Sequence, residues 1–549
     1  MKKLLARLRG GAHGPAGVAI HVRPHNRPDA AARDVRRLPP AALSWGVGIA
    51  TFFYLAAHYS IVQGVWPVHG IAPHAGAILL RDIASLIAWL LLILVLSLLR
   101  YRGNWAVVMI PVIVFFLTRP SLFQLFTDPV YEATGGTRAE ANVLKAERSQ
   151  LTTILRAYEE PRKEEVFQGR PIPRIPDPIT AIRDVTRPER ASLLRFGAAA
   201  AVLFAPLALL AAFLWARRPG ALRWVRDYRV WPFGVTFGIF VAYTLVPSVR
   251  TTGKVGGTTP WELLLPVFVL TWAAVLADDA YNLGKPGEVV APRRVLSLLL
   301  YVALPVMPFI LIHELGLSVV LAGSLAAMLL VGTRRGWWAG LMLVVWAGLV
   351  FAAFRVDERS QTRLALATDP YRDLSAMTAP QAEAWAAKVH QIKLFDANVL
   401  AGGWFGKGPG RGHAETAPNA ADDGFITTIA AQWGWAGALA FVLLYTAFLI
   451  QMLAVAVREG GAFERSLATG MAMLIGIPFW LTTLAGVRVI PLTGVAAAFA
   501  AHGGAKLIAS SIAVGIVAAV SHRRAEAQRL DEAVAGAGGE PIDQGVRVL

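Results

Sequence analysis

The sequence predicts an all-α polytopic membrane protein with about twelve transmembrane helices. Of its 549 residues, 55% are hydrophobic and only 16% are charged, whereas about 25% of residues are charged in soluble domains. The hydrophobic residues lie in blocks of about twenty, the length that a helix needs to cross about 30 Å of hydrocarbon. Together with a mean hydropathy of +0.51, this pattern excludes a soluble enzyme.

Charge and cysteine content exclude further classes. The formal net charge is +17, but the excess arginine lies in connectors between apolar blocks. This distribution fits the positive-inside rule of membrane proteins better than nucleic-acid binding. We therefore expect membrane lipid, and no nucleic acid, around the chain. The sequence has no cysteine, which excludes disulfides and thiolate metal sites.

The apolar blocks define the predicted spans, and the basic connectors between them define their orientation. The spans are 42–63, 77–99, 104–126, 192–216, 229–248, 261–281, 295–314, 316–332, 336–354, 424–454, 463–485 and 495–520. Residues 1–41 and the connector 217–229 are rich in Lys and Arg and poor in acidic residues. Because cytoplasmic loops carry such basic residues, both termini are predicted to be cytoplasmic. No signal peptide is visible, so the first span is expected to direct insertion.

These assignments divide the chain into seven parts. They are a basic cytoplasmic tail (1–41), three spans (42–126), an extracytoplasmic insert (127–191), six spans (192–354), an extracytoplasmic segment (355–423), three spans (424–520) and a cytoplasmic tail predicted to be disordered (521–549). The insert is predicted to contain a helix over 139–160 and an extended proline-rich strap over 169–188. The second segment is predicted to contain a helix over 380–400, followed by a glycine-rich loop.

The glycine-rich loop is the first candidate for chemistry. Six glycines lie within residues 402–412, together with Lys407 and Arg411. Backbone N–H groups and two cations in such a loop can bind a phosphate or pyrophosphate. The alternative is a flexible connector, because glycine loops commonly separate helices.

Two acidic residues, Asp422 and Asp423, directly precede the span 424–454. A carboxylate at the mouth of a membrane helix can act as a general base or a metal ligand. The alternative is that Asp423 is the N-cap of a helix starting at Gly424, where the helix dipole favours a negative charge. Capping and catalysis can coexist if the substrate displaces the capping hydrogen bonds.

Ionisable pairs also lie in or next to apolar spans. His313 and Glu314 separate two spans with almost no connector, and such a pair near a broken helix is costly and usually functional. The alternative is an interfacial hairpin in which Glu314 is solvated or caps the next helix. Arg81 and Asp82 are interpreted as interfacial anchors at the start of their span.

Several motifs, in order and spacing, resemble those of one family. In the first part of the region, Pro260–Leu263 resembles Q-P-S-E-[LF], His313–Gly316 resembles P-D-L-G, and Arg363 with Asp369–Tyr371 resembles R-x5-[DN]-P-W. Further along, His390–Gln391 stands at the family's Y-Q, and Gly402–Gly410 resembles G-G-L-F-G-x-G-L-G. Pro418 and Asp423 then match L-P-E-x-H-T-D, Gly434 matches the glycine of E-E-L-G, and Pro491–Gly504 resembles P-x-T-G-x-P-x-P-F-x-S-Y-G-G. The family is SEDS, the RodA and FtsW type proteins that polymerise peptidoglycan glycan strands. The resemblance covers about residues 240–522.

The resemblance implies a fold and an activity. The fold would be a SEDS-like core of ten helices with two extra spans and the 127–191 insert. The activity would be an inverting glycosyltransferase that polymerises lipid II at the outer face of the bacterial cytoplasmic membrane, in cell elongation, division or shape. Asp423, at the position of the family's catalytic aspartate, would take the proton from the acceptor 4-hydroxyl while undecaprenyl pyrophosphate leaves.

Substrate binding and partners follow from the same resemblance. The expected substrate-binding residues are Lys407, Arg411, Gly406, Gly408, Gly410, His390, Gln391, Glu262, Glu314, Thr493 and His502. No cofactor is required by the motifs, and a divalent cation such as Mg²⁺ or Mn²⁺ is left open as help for the leaving pyrophosphate. The expected partner is a class B penicillin-binding protein, a transpeptidase, and the insert is a candidate for that contact.

This sequence also departs from the family pattern. The family's H-T-D is 421–423 here, with Ala and Asp at the first two positions; its E-E is Ala431-Gln432, and Leu265 stands where the family has a Lys. Since a fold does not guarantee an activity, three alternatives stay open. They are a catalytically weakened SEDS-like scaffold, a flippase or transporter of a lipid-linked precursor with its site at His313 and Glu314, and an O-antigen-ligase-like polymerase, although the last lacks this order of motifs.

Overall fold

The fold is all-α wherever the computed structural model describes the chain. The described residues are 38–72, 75–128, 131, 188–228, 230–244, 260–284, 315–333, 336–356, 358–373, 377–412, 414–417, 419–459 and 461–536, and none of them forms a β-strand. The predicted insert helix, the proline-rich strap, the span 295–314 and the pair His313–Glu314 lie outside these residues. The predicted all-α class is confirmed.

The helices largely follow the apolar blocks. In chain order they are α1 (Pro40–Ser60), α2 (Trp66–His69), α3 (Ala75–Leu98), α4 (Trp105–Thr127), α5 (Pro188–Arg217), α6 (Pro219–Asp227), α7 (Val230–Thr244), α8 (Leu265–Gly284), α9 (Leu315–Thr333), α10 (Gly336–Val356), α11 (Glu358–Thr368), α12 (Ala379–Gly402), α13 (Phe425–Arg458), α14 (Ala462–Gly486) and α15 (Gly504–Gly536). A π-helical turn, Ile61–Val65, joins α1 to α2, and 3-10 turns cover Pro260–Leu264 and Ala414–Thr416.

Many of these helices are long and apolar enough to cross a membrane. Among the described residues, seven meet this test on their own, and an eighth is obtained if α5 and α6, which meet at 81°, count as one bent span. The seven are Pro40–Val68, α3, α4, Gly316–Thr333, α13, α14 and Gly504–Val534. The chain is therefore an integral membrane protein. The count of twelve spans and their sidedness stay predictions.

Helix α4 lies at the centre of the bundle. Its most apolar stretch is 94% buried within the protein, whereas the corresponding stretches of α1 and α3 are each 28% buried. A helix that is hydrophobic on all sides is usually a buried one, and α4 fits this rule because α1, α3, α13 and α15 all pack against it. The outer helices direct large apolar side chains such as Phe52 and Leu91 away from the bundle.

The last predicted span begins later than the sequence indicated. Helix α15 starts only at Gly504, and residues 491–503 form a largely buried non-helical loop. Backbone groups that are shielded from water need partners within the protein. Hydroxyl groups from three different helices donate hydrogen bonds to carbonyl oxygens of this loop. The donors are Thr118 to Phe499 at 3.3 Å, Tyr445 to Ala498 at 2.9 Å, and Thr482 to Val495.

Helix α13 is broken at Gly434, and the glycine-rich loop fills the break. Gly434 has φ 72° and ψ −175°, a conformation that favours glycine. The amides of Lys407 and Gly408 donate to the carbonyl oxygens of Ala431 and Gln432 at 3.1 and 2.9 Å. These carbonyls would otherwise lose their helical partners at the break. The loop and the broken helix are therefore one hydrogen-bonded unit.

We expect Gly434→Ala to destabilise the protein. The added Cβ would lie 2.4 Å from the nitrogen of Gly406 and from the oxygen of Trp404, so the expected loss is about 2 kcal/mol or more. Gly340→Ala in α10 is the matched control, because nothing lies within 4 Å of its added Cβ. That change should be neutral or stabilise by up to about 1 kcal/mol. Equal thermal unfolding temperatures of the two variants in detergent would contradict the prediction.

A buried carboxylate lies at the end of the bundle opposite the glycine-rich loop. Glu459 follows α13, and its Oε1 is 4.0 Å from Nη1 of Arg524 in α15. Burial raises the pKa of Glu459 to about 7, with Arg524 opposing the shift and Glu464 adding to it. Near pH 7, the folded protein therefore takes up a proton that the unfolded chain would release.

This pKa gives a pH dependence with a defined sign. Because the folded pKa lies above the ordinary value of 4.5, the Glu459 contribution to stability is full below pH 4.5 and is lost as the pH rises to about 7. The Glu459→Gln variant has no carboxyl group to ionise at this position, so its stability should not fall over this pH range. The variant should unfold at a higher temperature than the wild type at pH 8, by roughly 1–3 kcal/mol in stability, and should gain nothing at pH 5. An equal gain at both pH values would contradict this explanation.

Candidate functional site

Asp422 and Asp423 lie in a tight turn at the start of α13. The amides of Asp422 and Gly424 both donate to the carbonyl oxygen of Asn419, at 3.0 and 3.1 Å, and Asn419 has φ 57°. The helix begins at Phe425 and its N-cap is Gly424. The alternative in which Asp423 is the N-cap therefore places the cap one residue too early. Asp423 precedes the N-cap residue, and its side chain is half-buried.

Several parts of the chain brace this turn. The carbonyl oxygen of Ala421 accepts the His502 amide at 2.7 Å, and the Ala421 amide donates to the Tyr131 hydroxyl at 3.2 Å. Thr428 donates its hydroxyl to the carbonyl oxygen of Ala420 at 3.0 Å. A carboxylate on a turn held from three directions loses little further freedom when a substrate arrives. The structure thus brings one predicted binding residue, His502, into contact with the turn that carries Asp423.

The glycine-rich loop presents its cations outward and its backbone inward. The side chains of Lys407 and Arg411 are exposed, while Gly406, Gly408 and Gly410 have φ of 77°, 93° and 78°. A Cβ on Gly406 would lie 2.1 Å from a carbonyl oxygen of α13. The amides of Lys407 and Gly408 donate their hydrogen bonds to carbonyl oxygens of that helix. The loop is thus a packed element rather than a loose connector, and a phosphate role for its two cations stays a prediction.

A chain of buried polar side chains lies beneath this loop. Ser121 donates to Oε1 of Gln432 at 2.7 Å, Gln432 donates to Oε1 of Gln124 at 3.1 Å, and Gln124 donates to Oε2 of Glu415 at 3.4 Å. Gln432 stands where the family has an acidic residue. An amide both donates and accepts here, which an ionised carboxylate cannot do. Polar residues three positions apart inside an apolar span were the sequence signal for Ser121 and Gln124.

The other predicted binding residues lie on separate elements. Glu262 is buried in the 3-10 turn before α8, where the ammonium group of buried Lys506 in α15 acts on it electrostatically. Thr493 lies in the loop 491–503, its carbonyl oxygen 2.8 Å from the Cβ position of Gly316 at the start of α9. On α12, His390 is exposed and Gln391 is half-buried. Glu314 is outside the described residues.

An ion pair connects α12 to the connector after α14. Asp396 accepts a hydrogen bond from the Tyr371 hydroxyl at 2.6 Å and faces Nε of Arg488 at 3.1 Å. The hydrogen bond to Asp396, followed by burial, raises the pKa of Tyr371 above its ordinary value. This contact fixes α12 beside the connector that leads into the loop 491–503.

The structure also reveals a buried charge cluster in α1, α3 and α4. Asp82 is fully buried; its Oδ1 lies 2.7 Å from Nη2 of Arg119 and 3.0 Å from Nε of Arg81, and its Oδ2 lies 3.5 Å from Nε2 of His58. The interpretation of Asp82 as an interfacial anchor is wrong, because α3 begins at Ala75 and the α4 guanidinium covers the carboxylate. The sequence signal was an arginine inside an otherwise apolar span.

Within the described ranges, no three acidic or imidazole side chains come together as metal ligands.

Known proteins resemble the second half of the chain. The family model for FtsW, RodA and SpoVE, described as cell cycle protein, matches residues 257–526. The peptidoglycan glycosyltransferase RodA of Mycobacterium tuberculosis is 28% identical over 231 residues, which are 42% of this chain and 47% of that protein. The probable peptidoglycan glycosyltransferase FtsW of Geobacter sp. strain M18 is 25% identical over 314 residues, 54% of this chain and 81% of that protein. This chain thus spans about half (47%) of the length of the mycobacterial relative.

Solved structures of two proteins also align with the chain. One is a chain from a structure on the structural coordination of polymerization and crosslinking by a peptidoglycan synthase complex. It gives a TM-score of 0.46 at 19% identity, over 62% of this chain and 91% of that one. The rod shape determining protein RodA of Thermus thermophilus gives 0.34 at 18% identity, over 60% of this chain and 91% of that one.

The residues matched by the family model include Glu262, the glycine-rich loop, the Asp423 turn and the loop 491–503. Their order and spacing confirm the resemblance seen in the sequence. Residues 257–526 thus form a divergent SEDS-type region, similar to FtsW- and RodA-type proteins.

Proposed function

We propose that this protein is a peptidoglycan glycosyltransferase that polymerises glycan strands from lipid II at the outer face of the cytoplasmic membrane, in cell elongation, division or shape. The observation that carries the proposal is the Asp423 turn. The Asp423 carboxylate is half-buried there, next to the start of α13. The turn that carries it is held by hydrogen bonds of the Ala420 and Ala421 backbone with Thr428, His502 and Tyr131. It lies within the residues shared with the family.

In this proposal Asp423 acts as a general base. Its carboxylate takes the proton from the 4-hydroxyl of the acceptor sugar as that oxygen attacks the anomeric carbon of the lipid-linked donor. The new glycosidic bond forms as the bond from the anomeric carbon to the diphosphate oxygen breaks, with inversion, and the electron pair leaves with undecaprenyl pyrophosphate. A positioned base contributes typically about 10²–10⁴-fold to such a reaction.

The leaving pyrophosphate needs positive charge. We propose that the exposed side chains of Lys407 and Arg411 contribute to it from the glycine-rich loop. The loop is held on α13 by main-chain hydrogen bonds, so the backbone that carries the two cations is fixed relative to that helix. Bound charges on a rigid loop stabilise a developing anion without reorganisation.

Charge at the two ends of the bundle supports the proposed orientation. The Asp423 turn and the loop 491–503 lie at one end, joined by the His502 amide. Arg102 and Arg524 lie at the opposite end, where the Arg102 amide donates to His522 at 3.0 Å. By the positive-inside rule, these arginines support a cytoplasmic assignment for this end, and hence an outer-face assignment for Asp423, where flipped lipid II is found.

Two departures from the family motifs favour a second function, a catalytically weakened scaffold. Gln432 occupies the place of a family glutamate and is closed within a hydrogen-bonded network, and Leu265 stands in place of a family lysine. In that case the chain would retain its partner but would not polymerise lipid II. The experiment below separates the two functions.

We expect Asp423→Asn to abolish polymerisation. Asparagine is nearly isosteric, and Gly424 rather than Asp423 is the N-cap, so the change should leave folding intact. The rate of glycan polymerisation from purified lipid II should fall about 10²–10⁴-fold, with expression and thermal unfolding temperature close to those of the wild type.

Asp422→Asn is the matched control on the same turn, and it should retain most of the activity. A dead Asp422→Asn variant together with an active Asp423→Asn variant would move the base by one residue. Normal activity of both variants would exclude Asp423 as the base. A wild-type chain that binds its partner but makes no glycan would establish the scaffold instead.

We also propose a class B penicillin-binding protein as the partner, bound in part through the 127–191 insert. The insert is charge-balanced, and its proline-rich half loses little entropy on binding. Deleting residues 139–188 should leave a membrane-inserted protein that no longer co-purifies with the partner or no longer polymerises. Unchanged co-purification and unchanged activity would show that the insert does not contribute.

A further inference from the structure

Two aromatic side chains of the glycine-rich loop project away from the protein. Trp404 is 74% exposed and Phe405 is 87% exposed, although the backbone of the loop is packed on α13. Large apolar side chains that lie together on a protein surface usually mark contact with a membrane or with another protein. The proposed function does not use these two residues, since it draws only on the cations of the loop.

The backbone fixes both aromatic residues beside the break in α13. The amide of Trp435 donates to the carbonyl oxygen of Gly403 at 2.9 Å, and the amide of Ala436 donates to that of Trp404 at 3.1 Å. Trp435 is itself exposed. The backbone of Trp404 is therefore held at the level where α13 resumes after its break.

The surroundings of α13 change at this level. Residues 425–432 are all buried within the protein. The large apolar side chains that α13 exposes all lie further along the helix, and they are Trp435, Leu439, Leu443, Ile450 and Val457. From the first to the last of them the helix rises about 33 Å, close to the thickness of about 30 Å of the hydrocarbon core. Helix α13 thus meets lipid from Trp435 onward.

Contacts between α4 and α13 give the same boundary. Near one end of α13, Gln451 accepts a hydrogen bond from the Asn104 amide group at 2.9 Å, and near the other end Gln432 donates to Gln124 at 3.1 Å. Between these two glutamines α13 carries no charged residue, and helical rise separates them by about 29 Å. An uncharged stretch of this length matches the hydrocarbon core. Gln432 therefore lies near the bilayer boundary, and Trp435 follows it by about one turn.

We propose that Trp404 and Phe405 insert into the lipid interface of the bilayer, at the end of the bundle that carries the Asp423 turn. Aromatic rings are enriched at this depth, because the interface accepts both their apolar faces and their polar groups. Interfacial anchors set the tilt and depth of membrane helices. Here the anchor acts on α13 at its break, and so holds the glycine-rich loop at the membrane surface. The inference does not depend on the proposed glycosyltransferase activity.

The test uses the absence of native cysteine, which makes every introduced cysteine unique. The full-length Phe405→Cys variant carries a nitroxide label and is reconstituted as one copy in each phosphatidylcholine nanodisc. Power saturation in oxygen, which partitions into lipid, and in a water-soluble nickel chelate reports the depth of the label. Leu443→Cys, exposed on the lipid-facing side of α13, is the hydrocarbon reference. Lys393→Cys, exposed on α12, is the matched control in water.

We expect the ratio of oxygen to nickel accessibility at position 405 to exceed that at position 393 severalfold and to stay below that at position 443. Lipids with longer chains thicken the hydrocarbon core and move its boundary outward past the loop. They should therefore raise the ratio at position 405 and leave position 393 unchanged. Trp404→Cys repeats the measurement on the neighbouring side chain, and it decides the question if Phe405→Cys does not fold.

Each outcome decides the proposal. Ratios at positions 404 and 405 equal to that at position 393 would place both side chains in water and overturn it. Low accessibility to both oxygen and nickel would show that protein covers these residues, and would overturn the lipid contact in favour of a protein contact. A label in the interface supports the anchor even if the wild type does not polymerise lipid II, so the proposed function can fail separately.

Discussion

Two turns of α4 hold the parts of the site together. Within residues 118–124, four polar side chains of this buried helix reach in different directions. Thr118 holds the loop 491–503, Arg119 holds Asp82 of α3, and Ser121 with Gln124 holds Gln432 of α13. In an apolar environment each of these bonds is worth more than in water, and each is costly to leave unmade. The geometry around Asp423 therefore depends on this segment of α4.

Both non-helical segments near the site are held in the same way. The loop 491–503 gives its carbonyl oxygens to hydroxyl groups of α4, α13 and α14, and the glycine-rich loop gives its amides to the broken part of α13. Irregular backbone is tolerated at membrane depth when the protein itself supplies the partners. The loop 491–503 thereby braces the Asp423 turn through the His502 amide, and the glycine-rich loop is a packed part of α13.

Charged groups buried in the protein are subject to the same constraint, because they too need partners within the protein. The membrane helices keep Asp82 with two arginines. Gln432 replaces a family carboxylate with a group that needs no counter-charge, and Lys506 approaches Glu262 from α15. At Gln432 an amide thus takes the place of the family carboxylate, and near Glu262 the ammonium group of Lys506 supplies positive charge, while Leu265 stands in place of the family lysine.

The sequence by itself determined the all-α membrane class, the position of many helices and the resemblance to SEDS proteins, and it singled out Asp423 as a candidate base, because hydropathy and motif spacing are local properties of the chain. Only the tertiary structure decided that Asp82 is buried beneath Arg119, that Gly424 rather than Asp423 is the N-cap, and that the last helix starts at Gly504. The contacts that bury Asp82 and that hold the loop before Gly504 join residues 37 and 381 positions apart. A hydrogen-bond partner at such a distance leaves no local pattern, since it is selected by helix packing and by the requirement that every buried polar group be satisfied.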